Sequence, residues 1–457
     1  MRVATGVAFA VLLAVVAAYA ALIGAADWRS DEYFILATYR AYGWPYLLTR
    51  VIHWSPRPFS ETLFFLYGLG VAALGRPAIG ALLGALWVGL AAGLLASGRW
   101  REPGRGARLL LALGVFAAIL AGHEIAGVFF WPAGAVAYLP TLAGMALAVF
   151  VVLDGRAGGE AVLAGALTLA AVSSEAGAIF AVAFAGLRLG ARATLGPRGP
   201  RALPWLALPL LVGAAVLLLL ARGRAGTFEG IGAASPLLHH PMRALGPAVR
   251  DLVAEFAVPP AEGRHPGLDL LARVLFVAGV WGCWRPSRRA APPAAADLFA
   301  AVLAPLVTAY GLLVTAYYEF GEVCCDRHAT LRQALFVLAL AAFAVALHRA
   351  VAPPWRLRAV APLLLAAAAA IPAALDGAAL RHDFALMPTA VATRRANWAQ
   401  GLAPGEAMAF RPPPPMRIVR GFQLPAGSYE AGPDTPWPEL GIMRFFGKRA
   451  VTVLPPP

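Results

Sequence analysis

Runs of alanine, leucine and valine recur along the chain, several of them near the roughly 20 residues a helix needs to cross a bilayer's hydrocarbon core. They occupy residues 3–26, 78–97, 109–122, 133–153, 203–221, 268–284, 297–316, 331–347 and 362–375. Residues 161–187 are too long for one ordinary span and short for two. Ser173-Ser174-Glu175 at their middle predicts two half-length helices meeting at the membrane surface. Residues 59–74, opening with Ser60 and Glu61, predict a re-entrant or interfacial helix. The pattern is that of an all-α polytopic membrane protein with about 11 transmembrane helices plus this one. After Leu375 polar positions alternate, Pro412 to Pro415 punctuate the chain, and short β-like runs follow at 416–419 and 450–454. Residues 1–375 therefore form a transmembrane domain and residues 376–457 a small C-terminal α+β domain.

Polar positions between the runs sort into two kinds. Arg99, Arg101, Arg105, Arg108, Arg156, Arg188, Arg192, Arg198, Arg201, Arg285, Arg288, Arg289, Arg349, Arg356 and Arg358 fill one alternating set of connections, and the acid-bearing loops are the other set. Positive loops stay on the cytoplasmic side. The N-terminus is then inside and the C-terminal domain extracytoplasmic, provided residues 59–74 do not cross. The composition agrees, with 60% hydrophobic and 14% charged residues and a mean hydropathy of +0.70. A net charge of +14 would suggest a nucleic-acid partner in a soluble chain. Here it sets topology, and no nucleic acid is expected. Lys448 as the single lysine reflects compositional bias. Cys283 lies in an apolar run and Cys324 adjoins Cys325, so no disulfide framework is implied.

Where charge is scarce, its clusters matter. Asp27, Asp31 and Glu32 follow the first apolar run, ahead of Tyr39, Tyr42, Trp44, Tyr46 and Trp54 and the closing Ser55-Pro56-Arg57-Pro58. Tyrosine and tryptophan favour the membrane–water boundary, so residues 27–58 read as a surface loop with acids at its root. Ser30 capping a helix with Asp31 and Glu32 in its first turn accounts for these residues about as well. Their place beside a span favours chemistry. No Walker A loop, G-x-S-x-G, H-E-x-x-H or CxxC pair is present. What remains is a ring of ionisable groups on one side: Asp31, Glu32, Arg57, His123, Glu124, Glu175, Glu319, Glu322, Asp326, Arg327, His328 and Arg332. Each costs several kcal/mol to bury unless paired or facing a polar ligand. Mutual pairing is the plain explanation, but it leaves unexplained why five segments send such groups to one side. Phe129-Phe130-Trp131-Pro132 reads as an interfacial turn. His239-His240 are surface residues, because no acid or cysteine stands at metal-ligand spacing.

With these pieces the chain resembles the GT-C superfamily, polytopic glycosyltransferases that use polyprenyl-phosphate-linked sugars. The acids Asp31-Glu32 in the first outer loop, Arg57 near its end, and the terminal extracytoplasmic domain carry the likeness. More narrowly it is similar to an uncharacterised bacterial GT-C-like family, through Phe130-Trp131-Pro132-Ala133-Gly134-Ala135-Val136-Ala137-Tyr138, Ser173-Ser174-Glu175 and the tail from Trp437 to Gly447. The Asp31-Glu32 pair departs from the paired aspartates of some relatives. The resemblance implies sugar transfer on the outer face of the cytoplasmic (inner) membrane to an envelope glycan, lipid or protein acceptor. Asp31 or Glu32 would be the catalytic carboxylate. Arg57, His123, Glu124, Trp131, Tyr138, Glu175, Asp326, Arg327 and Arg332 would bind substrate, with arginines on the leaving phosphate. No metal ligands are assigned, and a divalent metal cofactor is left open. Competing classes are a transporter or flippase, which would show repeat symmetry, and an O-antigen ligase or polymerase-like protein.

Overall fold

The computed structural model describes residues 2–96, 105–122, 124–155, 159–195, 203–224, 237, 239–257, 265–285, 294–323 and 326–457. His123, Cys324, Cys325 and the arginines at 99, 101, 156, 198, 201, 288 and 289 lie outside them. Helix α1 (Arg2–Ala21) runs through a 3₁₀ turn, Leu22–Ala25, into the first loop. That loop is itself helical, as α2 (Ser30–Tyr42) and α3 (Trp44–His53). α3 buries none of its residues and exposes Trp44, Leu48 and Ile52 at i, i+4 and i+8. Such a stripe suits a helix lying on lipid. α4 (Pro58–Leu74) begins where Ser60 donates to the Ser173 carbonyl at 2.5 Å. The turn after it brings Arg76 into electrostatic reach of Asp27, just beyond α1. Both ends of α4 thus lie at the end of the bundle where α1 emerges.

α5 (Pro77–Ala96), α6 (Arg105–Leu120), α7 (Pro132–Asp154), α8 (Gly159–Ser173), α9 (Glu175–Leu195) and α10 (Leu203–Arg224) continue the bundle. α11 (Pro241–Ala257), α12 (Pro266–Cys283), α13 (Ala295–Phe320), α14 (Asp326–Ala350) and α15 (Trp355–Leu375) complete it. α7 is its axis, buried along almost its whole length, with α5, α8 and α14 against it. Among the described residues nine helices are long and apolar enough to cross a membrane: α1, α5, α7, α9, α10 and α12 to α15. By length and hydropathy this is a multi-pass membrane protein. The nine fall short of the eleven expected because α6 and α8 have 16 and 15 residues. At 1.5 Å per residue they reach only about 24 and 22 Å.

The break within 161–187 is present, but its arms are unequal, since α9 runs 21 residues to Leu195. Ser174 makes the break by capping α9, its hydroxyl accepting the Gly177 N–H at 3.1 Å. Gly177 also lets α8 and α9 touch, for a Cβ there would lie 1.8 Å from the Ala170 carbonyl oxygen. Gly177→Val is therefore expected to destabilise the protein by about 1–3 kcal/mol, the usual cost of overpacking. Thermal unfolding in detergent checks this, and an unchanged midpoint would mean the two helices separate freely.

Ion pairs mark the far end of the bundle. Arg108 meets Asp154 at 2.9 Å, joining the start of α6 to the end of α7. Arg188 near the end of α9 holds Glu160 of α8 at 2.5 Å and Asp297 of α13 at 2.6 Å. Asp376 ties the near end, accepting the Tyr19 hydroxyl at 2.5 Å and the Gly122 N–H at 2.8 Å. Arg108 and Arg188 thus lie at the end of the bundle away from the acids of the first loop.

Beyond Asp376, α16 (Gly377–Leu402) leads to β1 (Ala407–Phe410), β2 (Gly427–Glu430), α17 (Trp437–Phe446) and β3 (Ala450–Val453). The sheet order is β1-β3-β2, with β1 parallel and β2 antiparallel to β3. The β-like run at 416–419 is no strand. The N–H groups of Arg417, Ile418 and Val419 instead donate to the fully buried Asp383 carboxylate at 2.7, 2.8 and 3.0 Å, which curls the segment. The domain docks on the first loop through aromatics: Phe445 meets Trp28 edge-on at 4.8 Å, and Tyr33 and Trp398 pack beside them.

Candidate functional site

At the near end α2 starts with Asp31 and Glu32, and the two have different fates. Glu32 is 0% exposed. It accepts the Arg29 N–H at 3.0 Å, the Trp131 indole N–H at 2.9 Å and the Ala133 N–H at 2.9 Å. One carboxylate thereby caps its own helix, fixes Trp131 and satisfies an otherwise bare N–H at the start of α7. Burial pushes its carboxyl up to about 8, against the hydrogen bonds from Trp131 and Ala133. Capping here comes from Glu32 and not from Ser30.

Asp31 has no such partners. Among the described residues its carboxylate makes no hydrogen bond or ion pair. Burial raises its carboxyl above the ordinary range, against the pull of Arg327, Arg50, Arg29 and Arg57. Arg50 is occupied elsewhere, gripping Glu61 through two bonds at 2.8 and 3.0 Å.

Trp131 supplies the floor between the arginines. The Arg29 guanidinium lies 5.1 Å from its ring centre and that of Arg327 5.6 Å. Gly134 makes this placement feasible, because a Cβ there would lie 2.0 Å from the Gly127 carbonyl and 2.8 Å from the Trp131 ring. The Trp-x-x-Gly spacing is thus a packing requirement of the π-helical turn Ala126–Phe130 folding back on α7. Arg327, at the start of α14, makes no hydrogen bond or ion pair among the described residues, and its buried Nε is unsatisfied.

A second group adjoins. Arg57 faces Glu175 at 3.5 Å, and His328 faces the other oxygen of the same carboxylate at 3.8 Å. The Tyr138 ring stands edge-on to His328 at 6.4 Å. Among the described residues neither ring nitrogen of His328 comes within hydrogen-bond distance of a partner, Glu175 being near at 3.8 Å. The helix break at Ser174 is what lifts Glu175 to this end.

Glu124 and Asp326 form a third group around Arg420 of the C-terminal domain, at 2.7 and 3.2 Å. Burial pushes Glu124 up, against Arg420. Arg332 stands apart: wholly buried, it holds Glu255 of α11 through two bonds at 2.6 and 2.7 Å. His123 lies outside the described residues.

Compared with known protein families, characterised proteins and solved structures, the chain has no match. Its own geometry therefore carries the functional argument. Asp31, Glu32, Arg57, Trp131, Tyr138, Glu175 and Arg327 share one end of the bundle, with Glu124 and Asp326 linked to it by Arg29, which donates to the Arg420 carbonyl at 3.3 Å. Sequence reasoning did not single out Arg29, Arg50 or Arg420, and it left His328 outside the binding set. Arg29 lies inside the acidic stretch that drew attention, so adjacency was the available signal. Nothing local marks Arg420. Among the described residues no three His, Cys, Asp or Glu side chains converge as a metal ligand set. Chemically, the site offers Asp31, without a hydrogen bond among the described residues, beside Arg29 and Arg327, without a carboxylate ion pair among them, which suits a proton acceptor next to a bound anion.

Proposed function

We propose that the protein is a membrane glycosyltransferase that moves a sugar from a polyprenyl-phosphate donor to an acceptor hydroxyl on the outer face of the cytoplasmic membrane. The acceptor is an envelope glycan, lipid or protein. The observation that carries this reading is Asp31, a half-buried carboxylate that makes no hydrogen bond or ion pair among the described residues and lies within electrostatic reach of four arginines. Asp31 takes the acceptor's hydroxyl proton as that oxygen bonds to the sugar's anomeric carbon. The bond from that carbon to the phosphate oxygen breaks, and the polyprenyl phosphate leaves with the electron pair. Arg327 and Arg29, both over the Trp131 ring, hold that phosphate, for which forked guanidinium geometry is suited. Glu32, with three N–H donors already placed, positions the loop and Trp131. Arg57, Glu175, His328 and Tyr138 form the wall that orients the acceptor.

Incubating purified protein with labelled polyprenyl-phosphate sugars and a membrane-extract acceptor pool tests this. Label appearing in acceptor supports transfer, and failure to bind any lipid-linked sugar favours the transporter class. The same reading makes α4 a re-entrant or interfacial helix, the N-terminus cytoplasmic and residues 376–457 extracytoplasmic. Reporter fusions after Leu195 and after Gln400 are expected to report inside and outside respectively. A cytoplasmic signal at Gln400 would reverse the orientation and remove the site from the outer face.

A further inference from the structure

The segment 416–420 crosses from α16 to the site, and its end has an unusual conformation. Arg420 is a non-glycine residue at φ 48°, the left-handed region in which side chains other than glycine are uncommon. Asp383 holds the three preceding N–H groups from below, and Arg29 holds the Arg420 carbonyl from the side. This bracing points the guanidinium at Glu124 and Asp326. Both acids adjoin the Trp131 group: Asp326 precedes Arg327, and the Glu124 carbonyl accepts the Thr330 hydroxyl of the same helix. Three arginines from three distant parts of the chain therefore converge, and among the described residues only Arg420 of the three has carboxylate ion-pair partners. Its side chain keeps 36% of its surface exposed, so it has room to turn.

We propose that Arg420 is a third phosphate-binding cation, lent to the site by the C-terminal domain and parked on Glu124 and Asp326 until an anionic lipid phosphate arrives. The proposal rests on the transferase reading and names how that site takes up its donor. Binding exchanges the carboxylates for phosphate oxygens, with only the Arg420 side chain moving.

Equilibrium binding of a polyprenyl phosphate without sugar to the purified full chain in detergent tests it. Arg420→Gln is expected to weaken binding about tenfold, the scale of one lost charge-assisted contact, and Arg420→Lys to restore part of it. Glu124→Gln combined with Asp326→Asn is expected to tighten binding about threefold or more, because the parked cation is released. In the Arg420→Gln background the same two amides should gain clearly less, which separates release of Arg420 from simple removal of negative charge. If the wild-type chain binds and Arg420→Gln binds equally, or the two amides gain as much without Arg420, the parking idea fails and the transferase reading stands. If the wild-type chain binds no polyprenyl phosphate, both fall. Should Arg420→Gln fold poorly, the lysine variant and the amide pair still decide.

Discussion

Asp31→Asn is expected to lower transfer by about 10²- to 10⁴-fold while leaving expression, insertion and thermal stability unchanged. The amide keeps the side chain's shape and removes the proton acceptor, and no hydrogen bond is lost because among the described residues none is made. Glu32→Gln should behave differently. An amide offers one acceptor oxygen where Glu32 uses both, so an N–H is left facing an NH₂ group. Loss of stability, together with loss of activity, is the expected signature there. The pH profile separates the two further. Asp31 must be ionised to accept a proton, and burial raises its pKa above the ordinary 3.8. Activity should therefore fall as pH drops through that raised value, with an acid limb above the usual carboxylate range. Full activity of Asp31→Asn, or a profile without any acid limb, would remove the base from this position.

The second large effect concerns structure. Arg332→Met is expected to destabilise the protein by about 3–5 kcal/mol, because it strands the Glu255 carboxylate in a buried setting. The reciprocal Glu255→Leu should do similar harm by stranding Arg332. Combining the two should recover most of the loss, since a well-packed apolar pair often replaces a buried ion pair without cost. Thermal unfolding of the four proteins in detergent forms the cycle. A double variant no more stable than either single would show that Arg332 serves something beyond Glu255, and donor binding would again be the candidate.

That pair also shows what the sequence made visible. Arg332 sits one helical turn after His328, so local reasoning grouped it with the site. Its partner lies 77 residues away on an amphipathic helix, and no spacing rule announces such a contact. Asp31, Trp131 and Glu175 were legible because each interrupts or borders an apolar run, where a polar group is costly and stands out. Arg420 was hidden for the opposite reason, being one arginine among many in a polar domain. Segment lengths misled at α6 and α8: apolar character was read correctly, but helices of 16 and 15 residues are held among neighbours that longer spans provide. In the same way 416–419 has strand-like residues, and the buried Asp383 took the N–H groups a neighbouring strand would have used.

The sheet order has a consequence for how the chain is made. β3 is the middle strand, yet it follows both of its neighbours in the chain. While the ribosome is translating, β1 and β2 wait with bare edges, and no ladder exists until Ala450–Val453 emerges. α17, which covers Phe34 and Trp28, precedes β3 by only a short turn, so domain and docking face mature together. The helices before Leu375 therefore enter the lipid before α17 and the sheet can dock on the first loop, and completion of that end is a late event of biosynthesis. A stop codon ahead of Ala450 would release a protein that inserts normally and never completes its cover.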